Sequence, residues 1–271
     1  MFRVEKISAL DLPELSPYRT LRRAAEHAAQ GIFVAEGEKV VKRLLESHFG
    51  VSSVLLPENR VAEFAPWLNA RPESEITVFV VTEKSVLKEL IGFEMFQGVL
   101  AIGKIPETFT LEKILAVRAR PKLFAAVAGL TNAENIGLLV RNCAAFGVHA
   151  LIVGETSTSP FLRRAVRNSM GTIFQLPVVE TENLVAALQQ LRAGGVRCLA
   201  AHPPAEKKNL AEADFSDDCC LVFGSEGSGI SKTVLEVCDE AIAIPMADGV
   251  DSLNVAAAAA VFFYEAQRQR T

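Results

Sequence analysis

Five polar residues from Asn135 onward are of types that could take part in chemistry. Asn135 and Arg141 stand six residues apart, with Gly137 between them, in Asn132-Ala-Glu-Asn-Ile-Gly-Leu-Leu-Val-Arg141. Glu226 sits inside Phe223-Gly-Ser-Glu-Gly-Ser-Gly229, and Ser252 and Asn254 inside Ile244-Pro-Met-Ala-Asp-Gly-Val-Asp-Ser-Leu-Asn-Val255. An amide and a guanidinium on one side of a helix's first turns would converge on a phosphate or a ribose at its N-terminus. Simpler roles compete. Asn135 would serve as a helix cap, Arg141 as a surface charge, Ser252 as the cap of the last helix, and the glycine run as an ordinary turn.

Each of the three stretches follows or closes an apolar run, where a parallel strand hands over to a loop or helix. In open α/β sheets that edge is where ligands bind. From Lys122 onward the pattern alternates regularly. Strands are predicted at Leu123–Ala128, Ala150–Val153, Val196–Ala200, Cys220–Phe223 and Ala241–Ile244. Helices are predicted at Asn135–Phe146, Pro160–Asn168, Asn183–Ala193, Lys232–Cys238 and Leu253–Arg268. Such alternation implies a parallel sheet with helices on both faces.

The first hundred or so residues read as a smaller α/β unit. Ser16-Pro17 predicts a capped helix running to Gln30, and a second helix is predicted from Gly37 to near Gly50. Strands are predicted at Val51–Leu56, Ile76–Val81 and Val99–Ile102, and a short helix at Leu111–Val117 within a polar connection. The expected organisation is an N-terminal unit over 1–105, a linker over 106–120 and a second domain over 121–271.

Composition narrows the class. The chain has 271 residues, of which half are hydrophobic, and a formal net charge of −4. Neither disorder nor a membrane span is indicated, and an N-terminus reading Met-Phe-Arg-Val-Glu-Lys is unlike a secretory signal. A cytosolic protein is expected. The five cysteines form no Cys-x-x-Cys pair and the four histidines show no ligand spacing, so neither a disulfide framework nor a metal site is predicted. An acidic chain is an awkward RNA binder globally, but arginines gather locally at Arg163, Arg164 and Arg167, and at Arg19, Arg22 and Arg23. On composition and spacing alone, solvated helix faces are the favoured explanation of those runs.

Two nucleotide-loop readings fail on spacing. Gly224, Gly227 and Gly229 give G-x-x-G-x-G after a late strand, whereas a dinucleotide fingerprint needs G-x-G-x-x-G after the first. A phosphate-binding P-loop needs a lysine directly after its second anchoring glycine, and Gly229 is followed by Ile230 and Ser231.

Taken together, the three stretches in this order resemble the SpoU (TrmH-like) branch of the SPOUT methyltransferases, which use S-adenosylmethionine to methylate a ribose 2′-hydroxyl in RNA. The resemblance covers about residues 121–268. It extends more weakly to Phe33-Val-Ala-Glu-Gly-Glu-Lys and Gln97-Gly-Val-Leu-Ala, which look like the family's substrate-binding module, similar to a small ribosomal-protein fold. It implies Asn135, Arg141, Glu226, Ser252 and Asn254 at the reacting centre, and Gly224, Ile244, Met246 and Leu253 around the cofactor. Arg163, Arg164 and Arg167 would face RNA. It also implies a C-terminal trefoil knot, a homodimer through the C-terminal domain and no metal, with ribosomal RNA favoured over transfer RNA. A guanidinium is effectively always protonated, so Arg141 is expected to anchor phosphate and stabilise a developing alkoxide rather than act as a base. Ala256 and Asp248 depart from the family pattern, and Asp248 adds negative charge near the RNA path. Non-catalytic RNA binding, as by a ribosome-assembly factor, is the competing class; a nucleotide-dependent oxidoreductase is disfavoured by the misplaced glycines.

Overall fold

The computed structural model describes residues 2–7, 9–73, 75–82, 84–92, 98–116, 121–202 and 208–271. Met1, Gln97 of the quoted N-terminal motif and Val117, the predicted end of a helix, lie outside the described residues. The chain divides into two compact units. One is Met1–Glu107 with Phe161–Phe174; the other is Thr108–Pro160 with Gln175–Thr271.

The first unit holds a five-stranded sheet of β1 (Phe2–Lys6), β2 (Ile32–Glu36), β3 (Val51–Pro57), β4 (Ile76–Val81) and β5 (Leu100–Lys104). The order is β1-β4-β3-β5-β2, with β1, β4 and β3 parallel and the other pairings antiparallel. The predicted helix from Ser16 to Gln30 is two short helices, Ser16–Arg19 and Ala24–Ala29. Ser16 is not its cap: it is the first helical residue, and the preceding Leu15 makes no side-chain capping bond. The break follows Thr20, whose hydroxyl donates back to the Ser16 carbonyl at 2.9 Å and offers the ladder a side-chain alternative. The helix Glu38–Glu46 buries Val40, Val41, Leu44 and Leu45, the face its spacing predicts.

Residues 161–174 belong to this unit although they lie, in sequence, between two strands of the other. Phe33 on β2 explains the attachment. Its ring packs 5.9 Å from that of Phe161, 5.5 Å from Phe174 and 6.1 Å from Phe49. Polar contacts add direction: Arg43 Nη1 donates to the Met170 carbonyl at 2.7 Å, and the buried Glu36 carboxylate accepts from both Arg163 and Arg167. Gly103 on β5 faces the Phe33 ring so closely that a Cβ there would stand 2.2 Å from its Cζ.

The second unit is a six-stranded sheet of β6 (Leu123–Ala128), β7 (Ala150–Val153), β8 (Val178–Glu180), β9 (Arg197–Ala201), β10 (Cys219–Gly224) and β11 (Glu240–Ile242). The order is β11-β9-β10-β6-β7-β8 and every pairing is parallel. One face packs Ala126, Ile152, Cys198 and Val222 against the helices Leu184–Ala193 and Lys232–Glu236. On the other, Phe223 of β10 meets Phe262 and Phe263 of the last helix, Val255–Arg270, edge to face at 5.9 and 5.5 Å. Helices on both faces leave the strands near-continuously apolar. The three-residue β8 escapes prediction because it is too short to show alternation.

All five cysteines are free thiols. Burial pushes Cys219 up to about 11 and Cys238 to about 12, while Cys143 also rises through desolvation. Four of them fill strands and a helix face, and Cys238 lies in the bend between the helix Lys232–Glu236 and β11. Among the described residues, no group of histidines, cysteines or acids could hold a metal, and no helix is long and apolar enough to cross a membrane.

Gly103→Ala should destabilise the protein by about 1–3 kcal/mol, because a methyl group is forced into a packed ring. Chemical denaturation checks this; an unchanged midpoint would mean that the Phe33 cluster can yield.

Candidate active site

Because the second sheet is wholly parallel, its strand carboxyl ends share one edge. The chain builds outward from β6 through β7 to β8, then returns to the opposite side for β9. The loops after β6, β9, β10 and β11 therefore meet at the reversal of strand order, where α/β sheets form crevices.

The first of these loops leads into the helix Ala133–Ala145. Its cap is Asn132, whose side chain accepts from the Glu134 amide at 2.8 Å. Asn135 is thus free of the capping role and lies buried one turn in. Its carboxamide Nδ2 donates to Glu226 Oε1 of the glycine loop, and its Oδ1 accepts from Asn254 Nδ2 at 3.0 Å. Asn254 in turn caps the last helix: its Oδ1 accepts from the amides of Ala256 and Ala257 at 3.0 and 3.4 Å. Ser252, predicted as that cap, is exposed and makes no hydrogen bond among the described residues.

These bonds have one direction. The helix-terminal amides fix Asn254 with its oxygen toward the helix and its nitrogen outward. Asn135 must then turn its oxygen to Asn254 and its nitrogen to the carboxylate, which can only accept. Three segments separated by 91 and 119 residues are joined through one amide. A second link, Asn142 Nδ2 to the Ala256 carbonyl at 2.7 Å, holds the two helices together and engages the departing residue Ala256 through its backbone.

The glycine loop is tight for a backbone reason. Ser225 and Gly229 exchange amide–carbonyl bonds at 3.1 and 2.9 Å, with Gly229 at φ +64°. A Cβ on Gly224 would overlap the Gly229 carbonyl, and those backbone atoms have nowhere to move. Behind the loop lies a cavity of about 800 Å³. Gly224, Ile244, Met246 and Leu253, the expected cofactor contacts, all line it, as do Glu226 and Ser252. Its volume lies in the range of small-molecule sites. Its walls also include residues that sequence reasoning did not assign to the site: His202, Asn209, Phe223 and Phe262. Only His202 carries a readable signal, since it directly follows the carboxyl end of β9.

Two expected placements differ. Asn135 and Arg141 do not share a side of their helix: Asn135 is buried and Arg141 exposed. Six residues at 3.6 per turn leave them roughly 120° apart. Arg141 neither lines the cavity nor makes a hydrogen bond or ion pair among the described residues. It lies one turn beyond Leu138, itself exposed. Arg163 and Arg167 are engaged by Glu36, at 2.8 Å for Arg167, while Arg164 is exposed. Asp248 is exposed in the loop before the last helix.

The SpoU rRNA Methylase family matches residues 122–264, which contain all three loops. The chain belongs to that family. A Mycobacterium tuberculosis protein named as an uncharacterized tRNA/rRNA methyltransferase is 32% identical over 98% of this chain and 92% of its own. The 23S rRNA (guanosine-2′-O-)-methyltransferase RlmB of Ralstonia nicotianae is 32% identical over 68% of this chain and 74% of its own. The SpoU methyltransferase AviRb of Streptomyces viridochromogenes, solved in complex with AdoMet, superposes with a TM-score of 0.80 at 25% identity, covering 95% of this chain and 98% of that one. The relatives and structural neighbours of this SpoU protein are RNA methyltransferases.

Asn254→Asp separates the two duties of Asn254. The carboxylate caps a helix as well as an amide does, but it would face Asn135 Oδ1 with no donor. The variant should lose about 1–2 kcal/mol in urea denaturation. Stability equal to the wild type would show that capping is the residue's whole role.

Proposed function

We propose that the protein transfers a methyl group from S-adenosylmethionine to a ribose 2′-hydroxyl in structured RNA, with ribosomal RNA favoured over transfer RNA. The observation that carries this reading is the Asn254–Asn135–Glu226 chain, which ties the first family stretch to the two that line one cavity. The cavity fits the cofactor: its volume suits a nucleoside-sized ligand, its walls are largely apolar with a few polar groups, and Gly224 lets backbone approach closely. When bound, the cofactor supplies an electrophilic methyl on a sulfonium whose charge is discharged on transfer.

The chain's own residues then have distinct tasks. Gly224, Ile244, Met246 and Leu253 bind the adenosyl part at the cavity wall. Ser252, with its hydroxyl uncommitted, and Asn254 orient the incoming ribose. Glu226, held by Asn135, shapes the rim and keeps its carboxylate oriented. Positioning of this kind accounts for much of the rate of a displacement reaction. Arg141 remains cationic, anchors the phosphate beside the target sugar and stabilises the oxygen as its proton leaves. That proton passes to phosphate or water.

Arg141 stands outside its own cavity, so a homodimer through the second unit is part of the proposal. Leu138 on the helix Ala133–Ala145 and Val261 and Tyr264 on the last helix are exposed apolar groups, at 38%, 38% and 59%. Such a strip on two packed helices suits a second copy, and it runs beside Arg141. A trefoil knot is also proposed. Its support is the entry of β10 between β6 and β9, with the last helix packed back over β10. The first unit, with its mixed sheet and its Arg163–Arg164–Arg167 helix, is the RNA-selecting module, similar to a small ribosomal-protein fold.

Calorimetric titration with S-adenosylmethionine should give saturable one-site binding, and 2′-O-methyl mapping of cellular RNA should lose a ribosomal site when the gene is removed. A chain that binds RNA and no cofactor would instead be a catalytically silent assembly factor. Arg141→Ala should lower methyl transfer by two orders of magnitude or more with cofactor affinity unchanged. Arg163→Ala combined with Arg167→Ala should weaken RNA binding at least tenfold at unchanged cofactor affinity. Equal loss of both affinities would assign those arginines to the fold through Glu36.

A further inference from the structure

Met170, in the first unit, is the one non-glycine residue with a left-handed backbone among the described residues, at φ +55°. That region crowds a side chain against the following carbonyl and costs energy wherever glycine does not occupy it. Gly171 follows at φ +81°. The turn is held on several sides. The Met170 amide donates to the Arg167 carbonyl at 3.0 Å, and the buried Ser169 hydroxyl donates to the Val166 carbonyl at 2.7 Å while accepting from the Gly171 amide at 3.1 Å. Strain fixed this firmly is characteristic of ligand clamps.

The turn presents its carbonyl to Arg43 on the helix Glu38–Glu46. Arg43 Nη1 donates to the Met170 carbonyl at 2.7 Å, and its stem lies so near Gly171 that a Cβ there would stand 3.1 Å from Arg43 Cβ. A carbonyl orients a guanidinium without neutralising it, and Arg43 makes no ion pair among the described residues. Arg167 is likewise held by one nitrogen, its Nη1 donating to Glu36 Oε1 at 2.8 Å. Its side chain is still 62% exposed, against 17% for Arg163 on the same carboxylate. A guanidinium has five N–H donors, so both arginines keep most of their fork for a further acceptor.

The surrounding charge fits an anion. Lys39, one turn before Arg43, and Arg164 are exposed and make no ion pair among the described residues. Glu36 is buried, and Glu38 is engaged by Lys42 and Arg60. A chain of net charge −4 thus carries a local excess of positive charge around two fixed guanidiniums. Guanidinium forks match phosphate oxygens in geometry as well as charge.

We infer that Arg43 contacts RNA phosphate directly and forms with Arg167 a two-guanidinium seat for the phosphodiester backbone, with the Met170 carbonyl and Glu36 as its positioning groups. This inference rests on the RNA-binding reading of the first unit. Phosphate contacts set register and carry no base information, so the seat grips RNA and leaves the choice of nucleotide to other residues.

Fluorescence anisotropy of the full chain with a labelled RNA hairpin, repeated over a series of salt concentrations, tests this. Arg43→Gln and Arg167→Gln should each raise Kd about tenfold and reduce the slope of log Kd against log salt by about 1. A hairpin of unrelated sequence should show the same losses. Lys6→Gln removes an exposed cation from β1, the edge strand opposite β2, and should leave the slope at its wild-type value. Calorimetry should find S-adenosylmethionine affinity unchanged in all three variants. An unchanged slope in Arg43→Gln, whatever its Kd, would assign Arg43 to the turn alone and overturn the inference. So would an equal change of slope in Lys6→Gln, which would mean that only net charge counts. A wild-type protein that binds no RNA would strike the RNA-binding reading itself, a separate outcome from either.

Discussion

A single carboxamide holds the site together. Asn135 is buried, and each of its polar groups is bonded to a different distant loop: Asn254 at the start of the last helix and Glu226 in the glycine loop. Backbone pairing within the glycine loop and the helix caps hold each segment locally, and Asn135 is the side chain that ties the three to one another. The parallel sheet brings their starts to one edge, but an edge does not fix the positions of side chains to fractions of an ångström. The directional chain from helix cap to amide to carboxylate does.

The same constraint explains how the architecture divides its labour. The apolar layers, with Phe223 between Phe262 and Phe263, fix the last helix against β10 and so fix Asn254. Gly224 permits the loop to fold back on Gly229 where any side chain would collide with backbone. The cavity is then bounded by the glycine-loop backbone and by apolar residues such as Phe223, Ile242 and Phe262. In the first unit a comparable arrangement recurs around Glu36, whose carboxylate is shared by two arginines from a segment distant in sequence.

Much of this is legible in the residues. The strands β6 and β7 follow from their apolar runs and match their predicted limits, and all three motif segments do meet at one edge. What sequence pattern misses is local and physical. Capping is open to Ser252 by its type, yet Asn254 holds it, because its amide can serve the helix and Asn135 at once. Asn135 and Arg141 look like partners by motif, but helical geometry turns them apart. The short edge strand β1 carries alternating charges that conceal it, and β2 is continuous with a motif whose loop character dominates the reading. The assignment of 161–174 to the first unit depends on aromatic packing around Phe33, which no window along the chain contains.

The most direct test of the central claim is a double-mutant cycle between Asn135→Ala and Asn254→Ala, read as the methyl-transfer rate at saturating cofactor and RNA. If one amide relay organises the site, the second substitution should add little once the first is made, giving a coupling of about 1–3 kcal/mol. Strictly additive losses would mean that the two residues act independently and that the loops are positioned by something else.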